Sequence, residues 1–218
     1  MRTKILLTAA AAMVAGLVSS NAQVYSANVV GYANVTMAGA GQLTLVANPF
    51  DDGNGNQLTN LLAGLPNKSA VIAWAGSTFA GTITKTNGTW NGNLSLPPGA
   101  GFFVKNGVAA SPVYTNTFVG SVIANINGSV TNPVPAGLFL FGSPIPYAAD
   151  ATVDTNINLG ATLPNKSTFI VWNTAGQTYF GTVTKTNGVW NGTAPIAVGQ
   201  GFFVNAKSAT NWVQTLNP

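Results

Sequence analysis

The chain contains no cysteine, no histidine and no glutamate, and its only arginine is Arg2. Charged residues make up 6% of its 218 positions, against about 25% in an average soluble domain. Each absence excludes something. Without His, Cys or Glu, no Ser-His-Asp triad, Cys-His pair or His-ligated metal site can be built. Neither Gly-x-Ser-x-Gly nor Ser-x-x-Lys occurs. Glycoside hydrolysis needs two facing carboxylates, and the four aspartates fall as Asp51-Asp52 and as Asp150 with Asp154, in different parts of the chain. The chain reads as a non-enzyme. Lack of cysteine also means that disulfides do not hold it together.

Charge of one sign is scarce as well. Arg2 and Lys4 precede an apolar run from Ile5 to Leu17, and Ser20-Asn21-Ala22 supplies a small-x-small cleavage pattern. Residues 1–22 therefore read as a secretory signal peptide, the apolar run being shorter than the roughly 20 residues that span a bilayer. The remainder has six lysines against four aspartates and no further long apolar run. That expectation is a secreted chain, periplasmic, cell-surface or extracellular, with no transmembrane helix after cleavage. So small a surplus without arginine is a poor footprint for nucleic acid.

What the chain does have is a duplication. Gly81-Thr-Ile-Thr-Lys-Thr-Asn-Gly-Thr-Trp-Asn-Gly92 recurs as Gly181-Thr-Val-Thr-Lys-Thr-Asn-Gly-Val-Trp-Asn-Gly192. Leu65-Pro-Asn-Lys-Ser69 recurs at Leu163 to Ser167, and Gly101-Phe-Phe-Val104 at Gly201 to Val204. Upstream, Val24-Tyr25 with Val30-Gly31 matches Val113-Tyr114 with Val119-Gly120. The repeats span 23–112 and 113–218. Trp212-Val-Gln-Thr-Leu216 then stands where a third copy of the Val-Tyr strand would begin, Thr215 matching Thr117. This extra strand either closes the fold beside the first strand or is available to a neighbouring molecule.

Local signals are β. Asn87-Gly88 and Asn187-Gly188 sit between Thr-rich runs, the strongest short hairpin signal because both turn residues must accept φ > 0. Such turns pair Thr86 with Thr89, Lys85 with Trp90 and Thr84 with Asn91. Ser167 to Trp172 reads as a buried strand. The one helical candidate per repeat is short: Asn56 to Leu62, stopped by Gly64, and its counterpart after Asp154. The fold class predicted is all-β, two tandem β-sandwich or barrel-like repeats with at most one short helix each.

Two constellations invite a ligand. Alternation puts Ile83, Lys85 and Trp90 on one hairpin face. An exposed Trp90 with Lys85 and Asn91, and Trp190 with Lys185 and Asn191, would make two sugar-stacking platforms; the competing reading is a cross-strand packing pair. Asp51-Asp52-Gly-Asn54-Gly-Asn56 resembles the start of an oxygen-ligand calcium loop, although Gln57 and Ala63 stand where the EF-hand has its Gly and its bidentate Glu. Asp51, Asp52, Asn54 and Asn56 are the metal candidates, and turn and cap duty is the competing reading. No other cofactor is indicated. Threonine rows at Thr82-Thr84-Thr86 and Thr182-Thr184-Thr186 are too short and too far apart for an ice-binding face.

The segments Gln23-Val-Tyr-Ser-Ala-Asn-Val-Val-Gly-Tyr32, Leu45-Val-Ala-Asn-Pro49 and Pro98-Gly-Ala-Gly-Phe-Phe-Val104 resemble a group of duplicated, secreted all-β proteins of unknown function from Verrucomicrobia-type bacteria. The resemblance implies secretion and a duplicated β-fold, and it carries no activity or site residue. The function expected is a non-catalytic structural or interaction protein of the cell surface or extracellular matrix, with itself or other surface proteins as partners through β-strand addition. A carbohydrate-binding module acting on polysaccharide and a calcium-binding surface protein are the alternatives. An outer-membrane barrel ranks last, for want of ten-residue strands with an apolar lipid face.

Overall fold

A computed structural model describes residues 30–39, 41–76, 78–107, 113–125 and 128–216. The expected signal peptide and the first Val-Tyr copy at 24–29 lie outside these residues. The chain is all-β and builds one architecture twice. The first unit holds β1 (Val30–Met37), β2 (Leu43–Ala47), a one-turn helix α1 (Leu58–Leu61), β3 (Ala70–Trp74), β4 (Phe79–Thr86), β5 (Thr89–Trp90), β6 (Gly101–Lys105) and β7 (Tyr114–Ser121). The second holds β8 (Ser129–Val134), β9 (Gly137–Gly142), β10 (Ala149–Asp150), α2 (Leu159–Thr162), β11 (Thr168–Asn173), β12 (Thr178–Thr186), β13 (Val189–Trp190), β14 (Pro195–Ile196), β15 (Gly201–Ala206) and β16 (Thr210–Thr215).

Two five-stranded sheets, β2-β6-β3-β4-β5 and β9-β15-β11-β12-β13, have the same strand order. The Asn-Gly hairpins form as the sequence dictates, with Asn87 at φ 50 and Gly88 at φ 81, and the register pairs Lys85 with Trp90 and Thr86 with Thr89. The outer face of each sheet is covered by a two-stranded ribbon and the short helix. In the first unit Phe102, Val104, Val71 and Val46 pack with Val35 and Met37 of β1, Phe118 of β7, and Leu58 and Leu62.

The ribbons settle where the extra strand goes. β7 pairs antiparallel with β1, and β16 with β8. Each unit is thus closed by its own last strand lying beside its own first strand, and Trp212 sits in the strand paired with β8 rather than with β1. β7, which opens the second repeat in sequence, completes the first unit in space. The sequence period and the structural unit are therefore offset by one strand. Among the described residues no sheet closes on itself into a barrel.

The inner faces of the two sheets meet each other. β6 is buried on both faces, which is why Gly101-Phe-Phe-Val104 is an unbroken apolar run: alternation sends Phe102 and Val104 to the outer core and Phe103 to the seam. Leu45, Phe103, Leu140, Trp172 and Phe203 form the buried centre of that seam. Its contacts are reciprocal. Trp74 Nε1 donates to Leu138 O at 3.1 Å, and Trp172 Nε1 donates to Leu43 O at 3.1 Å. Trp74 lies edge-on to Phe203 at 5.4 Å, and Trp172 edge-on to Phe103 at 5.2 Å. At the seam's end the N–H of Ala47 donates to Gly199 O, and that of Gly142 to Gly99 O. A pseudo-two-fold axis relates the units. Glycine at the start of β6 and β15 permits this approach: a Cβ at Gly101 would sit 2.8 Å from Phe141 O, and one at Gly201 2.9 Å from Val46 O.

Candidate functional site

The best-matched repeat motifs converge on one place in each unit. The hairpin brings Lys85 over the turn that follows α1, and Lys185 over the end of α2, where the last carbonyls of a helix have no intrahelical donor. Lys85 Nζ donates to Ala63 O and, at 2.8 Å, to Leu65 O. Lys185 Nζ does the same for Gly160 O at 2.8 Å, Ala161 O at 3.2 Å and Leu163 O at 2.7 Å. The Leu-Pro-Asn-Lys-Ser motif completes the arrangement. Asn67 Oδ1 accepts from the N–H of Gly88 in the hairpin turn, as Asn165 Oδ1 does from Gly188. Ser69 and Ser167 hydroxyls accept from the N–H groups of Gly107 and Lys207.

Lys85 and Trp90 are 7% and 8% exposed, Lys185 is 8% exposed, and Trp190 is half-buried against Phe169. This burial leaves Trp90 no open face for a sugar and Trp190 only part of one, and fits the cross-strand packing pair. The indoles face the core, with the ammonium groups 6.0 and 5.9 Å from the ring centroids. Asn91 and Asn191 are exposed, but their Oδ1 atoms accept from the N–H of Thr84 and Thr184 and tie the hairpin together. The reason is geometric. Alternation fixes which side chains share a face, but the free carbonyls that pull the lysine inward come from a segment some 20 residues away.

The structure does bring Asp51, Asp52, Asn54 and Asn56 into one loop, where one side-chain oxygen each of Asp51, Asp52 and Asn56 accepts from nearby N–H groups and Asn54 Nδ2 donates to Asp52 O. Asp51 Oδ1 accepts from Gly53 N and Asn56 Nδ2, and Asp52 Oδ1 from Asn54 N and Asn56 N. Asn56 Oδ1 accepts from Asp52 N and Asn48 Nδ2. Amide N–H groups point at these oxygens, the arrangement of an Asx-rich turn. In the second unit Asp150 Oδ1 accepts from the N–H of Thr152, the Thr152 hydroxyl and the N–H of Ala194. Burial pushes the Asp150 carboxyl up, the hydrogen bonds from Thr152 and Ala194 pull it down, and the net position is below the usual 3.8. Among the described residues no group of three or more acidic, His or Cys side chains gathers to hold a metal.

What the surface offers is apolar. Tyr32 is 73% exposed and lies opposite Val119 on the outer face of the β1–β7 ribbon, with Val30 and Val113 also exposed. Around β12, Tyr179 and Phe180 are exposed, and Phe79 with them. Two cavities flank this strand. One of about 580 Å³ is lined by Val171, Phe180, Val183, Pro195 and Ile196 among others. The other, about 420 Å³, is lined by Trp74, Phe79, Leu138, Ile170, Tyr179 and Phe203. Sequence reading missed this region because Phe79 and Tyr179 look like ordinary strand aromatics. That both line one cavity follows only from the fold. Among the described residues no helix is long and apolar enough to cross a membrane. No protein-family model, curated protein or solved structure matches this chain.

Proposed function

We propose that this is a secreted, non-catalytic structural or interaction protein of the cell surface or extracellular matrix, related to the Verrucomicrobia-type group that its sequence resembles. The observation that carries this reading is how its polar and apolar groups are distributed. Lys85, Lys185 and the acidic loops are committed to backbone carbonyls and N–H groups, whereas Tyr32, Val30, Val119 and Phe180 are left on the outside. A sparsely charged surface with apolar strands resists association weakly, and contiguous exposed apolar groups mark contact surfaces. With β7 and β16 both seated within their own chain, the outer face of β1–β7 is the surface for self-association.

The test is molar mass by light scattering, with negative-stain images, on residues 23–218. Regular polymers that Tyr32→Lys with Val119→Lys dissolves, at unchanged Tm, support the reading. A monomer at all concentrations, with no retention on cell-surface material, overturns it.

A further inference from the structure

The two units differ at one element of their shared seam. The connection from Trp172 to Tyr179 is two residues longer than the matching one from Trp74 to Phe79: Asn173-Thr-Ala-Gly-Gln177 stands where the first repeat has Ala75-Gly-Ser77. The longer connection extends β11 to Asn173 and delivers Gln177, at φ 52, onto the outer edge of β2. Its Oε1 accepts from the N–H of Leu43 at 2.8 Å, and its Nε2 donates to Leu43 O at 2.9 Å. A primary carboxamide suits this task because its N–H and C=O point the same way, so one group serves both polar atoms of one residue.

Leu138 is the counterpart of Leu43 on β9. The N–H groups of Ala47 and Gly142 both leave their sheets outward, and alternation along the strand makes the N–H groups of Leu43 and Leu138 do likewise. Leu138 O accepts from Trp74 just as Leu43 O accepts from Trp172. Leu43 O also takes the amide of Gln177, and among the described residues no side-chain amide reaches Leu138. The 420 Å³ cavity opens beside it, walled by Trp74, Phe79, Ile170, Tyr179 and Phe203.

We infer that the edge of β9 at Leu138 is a peptide-binding site, taking a glutamine side-chain amide presented by a turn of a partner polypeptide, as Gln177 is presented here. Gln177 is the internal stand-in that shows what the site accepts. The incoming amide receives the Leu138 N–H and donates to Leu138 O, and the residue next to it fills the aromatic cavity. A single trans secondary amide, as in an N-acetyl sugar, points its N–H and C=O in opposite directions and cannot make both bonds to one residue; a backbone residue pairing as a β-strand could make both, and the Gln-to-Glu peptide below separates that mode from side-chain recognition. This names the contact chemistry of the interaction role proposed above. It rests on that reading only for the existence of a partner.

The probe is a blocked peptide copying residues 174–179, titrated into residues 23–218 and followed by NMR of the Trp74 indole N–H and the Leu138 amide. Saturable 1:1 binding at millimolar peptide is expected, lost when the peptide carries Gln177→Glu. In the protein, Gln177→Ala opens the second edge and raises the stoichiometry to 2:1. Grafting the Asn173–Gln177 turn in place of residues 75–77 fills the site and abolishes binding. Hydrogen exchange gives a readout that needs no ligand: the Leu138 amide exchanges much faster than the Leu43 amide, and Gln177→Ala removes the difference. No binding, binding indifferent to the Glu peptide, or equal exchange at Leu43 and Leu138 overturns the inference. Polymers in light scattering are unaffected by any of these outcomes, so the two readings fail separately.

Discussion

Replacing Lys185 by methionine isolates the ammonium group, since the thioether keeps the volume of the stem packed near Trp190. What goes is the donor to Gly160 O, Ala161 O and Leu163 O. A hydrogen bond to a charged group contributes about 1.5–3 kcal/mol net, and a buried acceptor left without a partner costs about 1–3 kcal/mol. The three bonds share one ammonium whose own desolvation opposes them, so the terms do not simply add. The expected loss is about 3 kcal/mol, or a Tm lower by roughly 6–12 °C at this chain length. Lys85→Met, which leaves two carbonyls instead of three, should cost about 2 kcal/mol. Urea unfolding followed by tryptophan fluorescence measures both, with the exposed Lys207→Met as control, expected within about 0.5 kcal/mol of wild type. A Lys185→Met loss no larger than the control, or a larger loss for Lys85→Met, would refute the carbonyl-capping account.

Trp90→Ala should lower stability by about 3–5 kcal/mol, as truncation of a buried aromatic does, without altering retention on immobilised polysaccharide; calorimetry and affinity electrophoresis check the two halves. Gly101→Ala should cost about 1–3 kcal/mol, because its Cβ would press on Phe141 O and Leu140; denaturant midpoints report it, and near-UV circular dichroism shows the seam aromatics disturbed. Asp150, whose carboxyl titrates below 3.8 in the folded chain, contributes stability above that value and loses it as pH falls through its folded pKa. The stability difference between pH 6 and pH 3 should therefore shrink in Asp150→Asn, and an unchanged difference would remove Asp150 from the acid response.

Much of the architecture was legible because it depends on local rules. Asn87-Gly88 fixes the hairpin register through its own φ requirements, and Lys85 does face Trp90. Ser167 to Trp172 and Asn56 to Leu62 are close to β11 and α1, with the helix trimmed to Leu58–Leu61. What sequence did not yield depends on distant chain segments. Lysine on a Trp-bearing face looks solvent-directed until the segment after α1, or the end of α2, presents its carbonyls. The Val-Tyr strand looks like the start of a repeat, since similarity carries no information about which unit a strand closes. The aspartate loop looks like a ligand set because composition alone does not tell an oxygen aimed at a cation from one aimed at its own backbone N–H.

The reciprocal tryptophan seam has an evolutionary consequence. An interface in which Trp74 reaches Leu138 while Trp172 reaches Leu43 has the self-complementary form of a two-fold homodimer. Joining two such protomers end to end makes their association intramolecular and independent of concentration. It also frees each half from having to match the other. In an unlinked dimer a glutamine at the seam would appear at both edges or at neither. In the fused chain, Gln177 can guard one edge while its twin drifts to serine, so that an obligately symmetric ancestor becomes a molecule with two distinguishable sides.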